Sequence, residues 1–281
     1  MLPSWVIAVI VYVGTMVSTV ELSFTRSKLL PIQKFVGLHQ YERLFNDQIW
    51  LIAVRNLAIF GTLYVIGCLA FGSLLAVLLD RRLRGESLLR TIFLYPYALS
   101  FIVTGAVWRW ILDPISGLAQ TIRHLGWTSF SVDWLGSERL AIYAVVVAGI
   151  WQSSGLVMAL VLAGLRGVDP DIWKATRIEG IPTWRVYVFI VAPLIWPMIT
   201  TSIVLLAMSV VRSYDLIVAL TNGGPGVSTD MPAKFIIDYL FTRTNVGLAM
   251  AAATMMLLAV TIVLMPWIYL RYLRGPAKGR A

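Results

Sequence analysis

Six continuous apolar runs divide the chain: Pro3–Val20, Leu51–Leu79, Leu88–Leu112, Leu140–Leu165, Val188–Val211 and Val246–Leu270. A helix of about 20 residues, rising about 1.5 Å at each, spans a hydrocarbon layer about 30 Å thick. Inside that layer every backbone N–H and C=O needs a partner within the protein, so only helices and closed barrels cross it. These runs are continuous rather than alternating, which selects helices. The pattern predicts an all-α, polytopic membrane protein with six transmembrane helices. The fifth run extends in weaker form to about Leu220. Met1–Ser4 carries no Lys or Arg and no small-residue cleavage site follows the first run, so an uncleaved helix is expected rather than a signal peptide. No internal repeat, low-complexity tract or linker interrupts the chain, and one transmembrane domain over residues 1–281 is expected.

Composition sharpens this picture. Hydrophobic residues make up 59% of the chain and charged residues only 13%, against about 25% charged in soluble domains. The formal net charge is +9. On a soluble protein that excess would point to nucleic acid. Here the basic residues sit between apolar runs, so they orient the chain against membrane lipid and no nucleic-acid partner is expected. Segments 80–90, 166–187 and 271–281 hold 12 Lys and Arg in 44 residues, whereas segments 21–50, 113–139 and 212–245 hold 9 in 91. The denser set is expected in the cytoplasm, and with it both termini and the run Asp80-Arg81-Arg82-Leu83-Arg84. Trp50, Trp108, Trp110, Trp267, Tyr269 and Tyr272 lie near the proposed boundaries, as an interfacial belt would. Arg109, between Trp108 and Trp110, reads as an anchor that snorkels to the headgroups. Gly61, Gly67, Gly72 and Ala249–Ala253 are small residues that let helix backbones approach.

Several chemistries are set aside by the same reading. Cys68 is the single cysteine and lies within an apolar run, so neither an internal disulfide nor a cysteine metal cluster is available. His39 and His124 are far apart and in no ligand motif, and no metal site is expected. None of the five lysines follows a glycine, so there is no Gly-Lys-Ser/Thr phosphate loop. With no nucleophile–base pair either, the chain reads as a non-enzyme with no cofactor of its own.

The most informative polar stretch is the loop at about 166–187. Asp169 is placed to cap a helix, Pro170 to occupy its first turn, and Asp171 to favour its positive end. Ile172, Ala175 and Thr176 are spaced i, i+3 and i+4. Gly180 supplies a stop. The spacing predicts a short helix outside the bilayer, able to enter a groove on a partner. Spacing alone leaves an ordinary interfacial loop helix open.

This stretch resembles the EAA loop of binding-protein-dependent ABC importer permeases, whose pattern is Glu-Ala-Ala, three residues, Gly, nine residues, Ile-x-Leu-Pro. Lys174-Ala175-Thr176 stand at the first three positions, Gly180 follows at the family distance, and Ile190, Val191, Ala192 and Pro193 complete the pattern, with Pro197 as the second proline. Lys174 replaces Glu, Thr176 replaces Ala and Ala192 replaces Leu. Phe35-Val36-Gly37-Leu38-His39-Gln40-Tyr41 resembles a segment that follows the first span in the carbohydrate group of these permeases, and Leu220-Thr221-Asn222-Gly223-Gly224-Pro225 one that follows the fifth. By composition the latter is a turn. The resemblance is to the MalF-like member of a maltose/glycerol-3-phosphate-type pair. It implies a type I ABC importer permease architecture in a bacterial inner membrane. It also implies a second permease subunit, two ATPase subunits that hold ATP and Mg, and an external solute-binding protein. Asp171, Ile172, Trp173, Lys174, Ala175, Thr176, Arg177, Ile178, Glu179 and Gly180 would couple the chain to the ATPase, with Ala175 and Gly180 the most size-sensitive.

Two segments are candidates for the solute path, which the resemblance implies is lined by the fourth and fifth spans. Trp151-Gln152-Ser153-Ser154 is a polar break in the fourth run, and Ser209, Arg212, Ser213, Tyr214 and Asp215 close the fifth. They offer hydrogen-bond partners for hydroxyls and ring faces for a sugar. Arg212 and Asp215, spaced i and i+3, also suit a local ion pair. A stand-alone channel or ion-coupled carrier is the alternative function. It calls for carboxylates within the spans, yet Glu21 and Asp215 lie only at edges.

Overall fold

The computed structural model describes residues 2–28, 34–81, 85–127 and 133–268. Arg82 and Arg84 of the basic run, Tyr269, Tyr272 and the basic segment 271–281 lie outside the described residues. The chain begins with α1 (Leu2–Ser23), the short α2 (His39–Phe45) and the long α3 (Gln48–Asp80). There follow α4 (Glu86–Ala98), α5 (Phe101–Ile111), α6 (Leu118–His124), α7 (Ala141–Arg166) and α8 (Pro170–Ile178). Then come α9 (Thr183–Arg185), a π-helical segment (Val186–Val191), α10 (Ala192–Leu194), α11 (Trp196–Val211) and α12 (Tyr214–Leu220). The last elements are α13 (Pro232–Ile237), a second π segment (Asp238–Thr242) and α14 (Val246–Ile268). Among the described residues the only strand-like pairing is an isolated bridge between Thr25 and Phe35. The architecture is all-α, and among the described residues helical segments lie in each of the six apolar runs.

The runs are not six straight rods. Helices α3 and α7 are unbroken and apolar enough to cross a membrane. The third run is a bent pair, α4 and α5, meeting at 101°, and the fifth is bent by 74° between Thr183–Leu194 and α11. The shorter apolar stretches Val9–Ser23 and Val246–Ile262 lie within α1 and α14. Each bend has a local cause. Pro96 sits in the last turn of α4, Leu99 is extended (ψ 148°), and the Ser100 hydroxyl accepts from the Val103 N–H at 3.3 Å to start α5. In the fifth run the π segment precedes Pro193, where its wider turn accommodates a residue that lacks an N–H. Pro197 then opens α11. The extension toward Leu220 is a separate helix, because the chain turns at Arg212 and Ser213 before α12.

The chain forms two compact units, one of Met1–Asn56 with Asp230–Ala281 and one of Leu57–Thr229. In the first, α1, α2 and α13 pack on α14. Leu44, Trp50, Phe235, Leu248, Ala249, Ala251 and Ala252 form its core, so part of the alanine stretch is a packing surface. Asp47 links two elements here. One of its oxygens accepts from the Ile49 N–H at 2.8 Å at the start of α3, and the other accepts from the Tyr239 hydroxyl at 2.6 Å. Arg243 donates to that hydroxyl oxygen at 2.7 Å and stands 4.5 Å over the ring. Burial and the Asp47 acceptor push Tyr239 up to about 12. Ile7, Ile10 and Tyr12 of α1 are exposed, as lipid-facing side chains are.

In the second unit α7 is the central element and packs against α4, α5, α11 and α12. Ala144, Val145, Ala148, Val157, Met158, Val161 and Leu162 are all buried. Two glycines set the spacing. A Cβ on Gly155 would run into the Phe93 carbonyl of α4, and one on Gly72 would lie 2.7 Å from the Ser154 carbonyl oxygen of α7. These backbones meet directly, which is how helices associate where no hydrophobic drive exists between them.

Candidate functional site

Helix α8 forms through its own caps. An Asp169 carboxylate oxygen accepts from the Asp171 N–H at 2.9 Å, and Pro170 fills a position whose N–H needs no helical partner. At the other end the Gly180 N–H donates to the Arg177 carbonyl at 3.2 Å and the Ile181 N–H to the Thr176 carbonyl at 3.1 Å. Gly180 has φ +67°, so the pattern is a Schellman stop. Nothing lies within 4 Å of where a Gly180 Cβ would stand. Within this chain, therefore, conformation rather than size holds the position to glycine.

The two sides of α8 differ. Asp171, Lys174, Ala175 and Ile178, spaced i, i+3, i+4 and i+7, are all exposed, and Ile178 is 87% exposed. The Lys174 ammonium lies 2.8 Å from Asp171. Thr176 turns inward, with 6% exposure, and its hydroxyl donates to the Trp173 carbonyl at 3.1 Å. Trp173 meets Tyr187 edge-on, with ring centroids 5.5 Å apart. Ile172 is half-buried, and Arg177 and Glu179 are exposed. The expected common face of Ile172, Ala175 and Thr176 is thus divided, because the chain after Gly180 folds back and covers only one flank. On that flank lies a groove of about 740 Å³ bounded by the ends of α3 and α7, α8 and Tyr187.

The solute-path candidates separate in the same way. Gln152, Ser153 and Ser154 are buried. The Gln152 amide donates to the Leu99 carbonyl at 2.8 Å, at the α4–α5 bend, and the Tyr64 hydroxyl donates to the Ser153 oxygen at 2.7 Å. Ser213 is buried too. These four are thus packed within the chain. Trp151 is partly exposed and meets Trp108 edge-on with centroids 6.0 Å apart. Ser209 and Tyr214 are half-buried, and Arg212 and Asp215 are exposed. No ion pair joins Arg212 to Asp215 among the described residues. Sequence reasoning passed over three residues here. Tyr64 carried a signal, a lone phenol in an apolar run. The Thr104 hydroxyl and the N–H of Trp108, a residue expected only in the interfacial belt, are buried like the Gln152 carbonyl oxygen and have no partner among the described residues. No group suited to a metal ion occurs among the described residues.

The glycine-rich turn after α12 is closed by its own hydrogen bonds. The Thr221 and Thr229 hydroxyls lie 2.7 Å apart, and Thr229 donates to the Gly224 carbonyl at 2.9 Å.

Residues 69–274 match the family of binding-protein-dependent transport system inner membrane components. The chain belongs to that family. It is therefore a permease and an integral inner-membrane protein. It is 36% identical to a probable ABC transporter permease protein of Pyrococcus horikoshii, over 97% of this chain and 94% of the relative. It is 30% identical to the xylose/arabinose import permease protein of Haloferax volcanii, over 98% of this chain and 87% of the relative. Its fold matches a chain of a bacterial ABC transporter involved in the import of the acidic polysaccharide alginate, with a TM-score of 0.81 at 17% identity, covering 99% of this permease and 94% of that chain.

Proposed function

We propose that this permease is one half of the membrane pathway of an ATP-driven importer for a sugar or sugar derivative. A second permease subunit completes the pathway, a solute-binding protein delivers the solute from outside, and two ATPase subunits hold the ATP and Mg. Residues 1–281 act as a single permease domain with both termini in the cytoplasm. The xylose/arabinose relative supports a sugar substrate. The coupling handle is α8. The observation that carries this reading is the exposed stripe Asp171, Lys174, Ala175 and Ile178 on a helix whose two ends are capped by its own neighbouring residues. The ATPase would cover this stripe, including Ile178, which is 87% exposed. Lys174 stands where the family pattern has Glu, so the ATPase surface facing it carries acceptors rather than a base. Along the solute path, Trp151, Arg212, Tyr214 and Asp215 line the open side. Gln152, Ser153, Ser154 and Ser213 shape the wall behind it, and Ser209 lies between.

The test is co-purification. The complex is expected to bring down an ATPase and a second permease. Because Ile178 is 87% exposed, Ile178→Asp should change thermal stability little while the ATPase subunit is lost and uptake fails. Full retention of the ATPase and normal solute-stimulated hydrolysis in that variant would remove α8 as the handle.

A further inference from the structure

The groove beside α8 is lined by more cations than the exposed stripe of α8 supplies. Arg81, Arg166, Lys174 and Arg177 line it, and Asp80 is the carboxylate on its wall. Two of the cations are already engaged, Arg166 with Glu86 at 2.6 Å and Lys174 with Asp171 at 2.8 Å. Arg166 and Tyr187 line the same groove as Asp80. Arg81 and Arg177 are exposed and form no ion pair among the described residues. Two guanidinium groups therefore border one cavity with their charge unspent.

Depth identifies the anion. Helices α3 and α7 end at Asp80 and Arg166, and the groove starts where they stop. Trp173 and Tyr187, both on its wall, are the amphipathic aromatics that settle at headgroup level. Basic pockets between helices on the cytoplasmic side of a membrane suit anionic headgroups, and guanidinium groups suit phosphate oxygens by their paired donors. The volume of about 740 Å³ admits more than a bare ion. We propose that this groove binds a phosphate group, that of an anionic phospholipid of the surrounding leaflet, through Arg81 and Arg177. The siting rests on the orientation proposed above, with α8 in the cytoplasm.

Native mass spectrometry of the whole importer complex, titrated separately with phosphatidylglycerol, phosphatidylcholine and inorganic phosphate, tests this. Phosphatidylglycerol should be retained and phosphatidylcholine lost. Arg81→Gln and Arg177→Gln should each weaken retention about fivefold, and the distant control Arg26→Gln should not. Equal retention of both lipids, or wild-type retention in both groove variants, overturns the site. Binding of inorganic phosphate without phosphatidylglycerol overturns the lipid source and leaves a soluble phosphate. Lipid bound only to particles that lack the ATPase means that the ATPase covers the groove, which also overturns the proposal. The same spectra report ATPase retention, so failure of the coupling reading is seen separately: complexes without ATPase but with selective lipid sink the first reading alone.

Discussion

Two polar interruptions of an apolar chain end up with opposite fates. In the break Trp151–Ser154, within α7, Gln152, Ser153 and Ser154 are buried, and the Gln152 amide N–H and the Ser153 hydroxyl oxygen are bonded inside the chain. The stretch Asp169–Gly180 satisfies its own helix ends and leaves one face uncovered. In the first, polarity completes the packing of a bent span. The extended Leu99 leaves a carbonyl that no helix serves, and the Gln152 amide serves it. In the second, polarity is offered outward. A polar residue in a membrane protein is a functional candidate by default, but that default holds only where no neighbouring backbone already claims it.

Three substitutions sharpen this contrast. The largest effect is expected for Gly155→Ala. The new methyl meets the backbone of Phe93, which has no side chain to move aside, and destabilisation of about 3 kcal/mol should appear as a lowered melting temperature. A melting temperature equal to wild type would mean that α4 and α7 are not pressed together there. Next is Gln152→Leu, which strands the half-buried Leu99 carbonyl at a cost of about 1 kcal/mol. The stability loss should come with an unchanged apparent affinity for solute in the folded protein. The opposite result, normal stability with weakened affinity, would return Gln152 to the solute path and erase the contrast. The smallest is Asp169→Ala, which removes a cap worth about 1 kcal/mol of local helix stability. Hydrogen exchange should quicken in the first turn of α8 while the melting temperature of the complex hardly moves. If the whole fold loosened instead, α8 would be part of the core rather than a handle.

Much of this was legible in the residues. The apolar runs located every long helical segment, because a hydrocarbon environment permits little else. Asp169, Pro170 and Gly180 delimited α8 to the residue, because caps are local chemistry and depend on neighbours one to four positions away. The two bends were only half visible. Pro96, Pro193 and Pro197 marked where helices weaken. The angles of 101° and 74° come from packing against other helices.

The sequence by itself determined that this chain is a membrane protein, where its apolar helices lie, and where the short helix α8 begins and ends. Those properties follow from transfer into hydrocarbon and from local hydrogen bonds, and both are readable along a line. Only the tertiary structure decided which side of each helix is spent. It turned Ala175 outward and Thr176 inward, closed Gln152 and Ser153 against Leu99 and Tyr64, and brought Arg81 and Arg177, far apart in the chain, to the wall of one groove. Burial depends on which backbones approach, and that approach is set by contacts between residues distant in sequence.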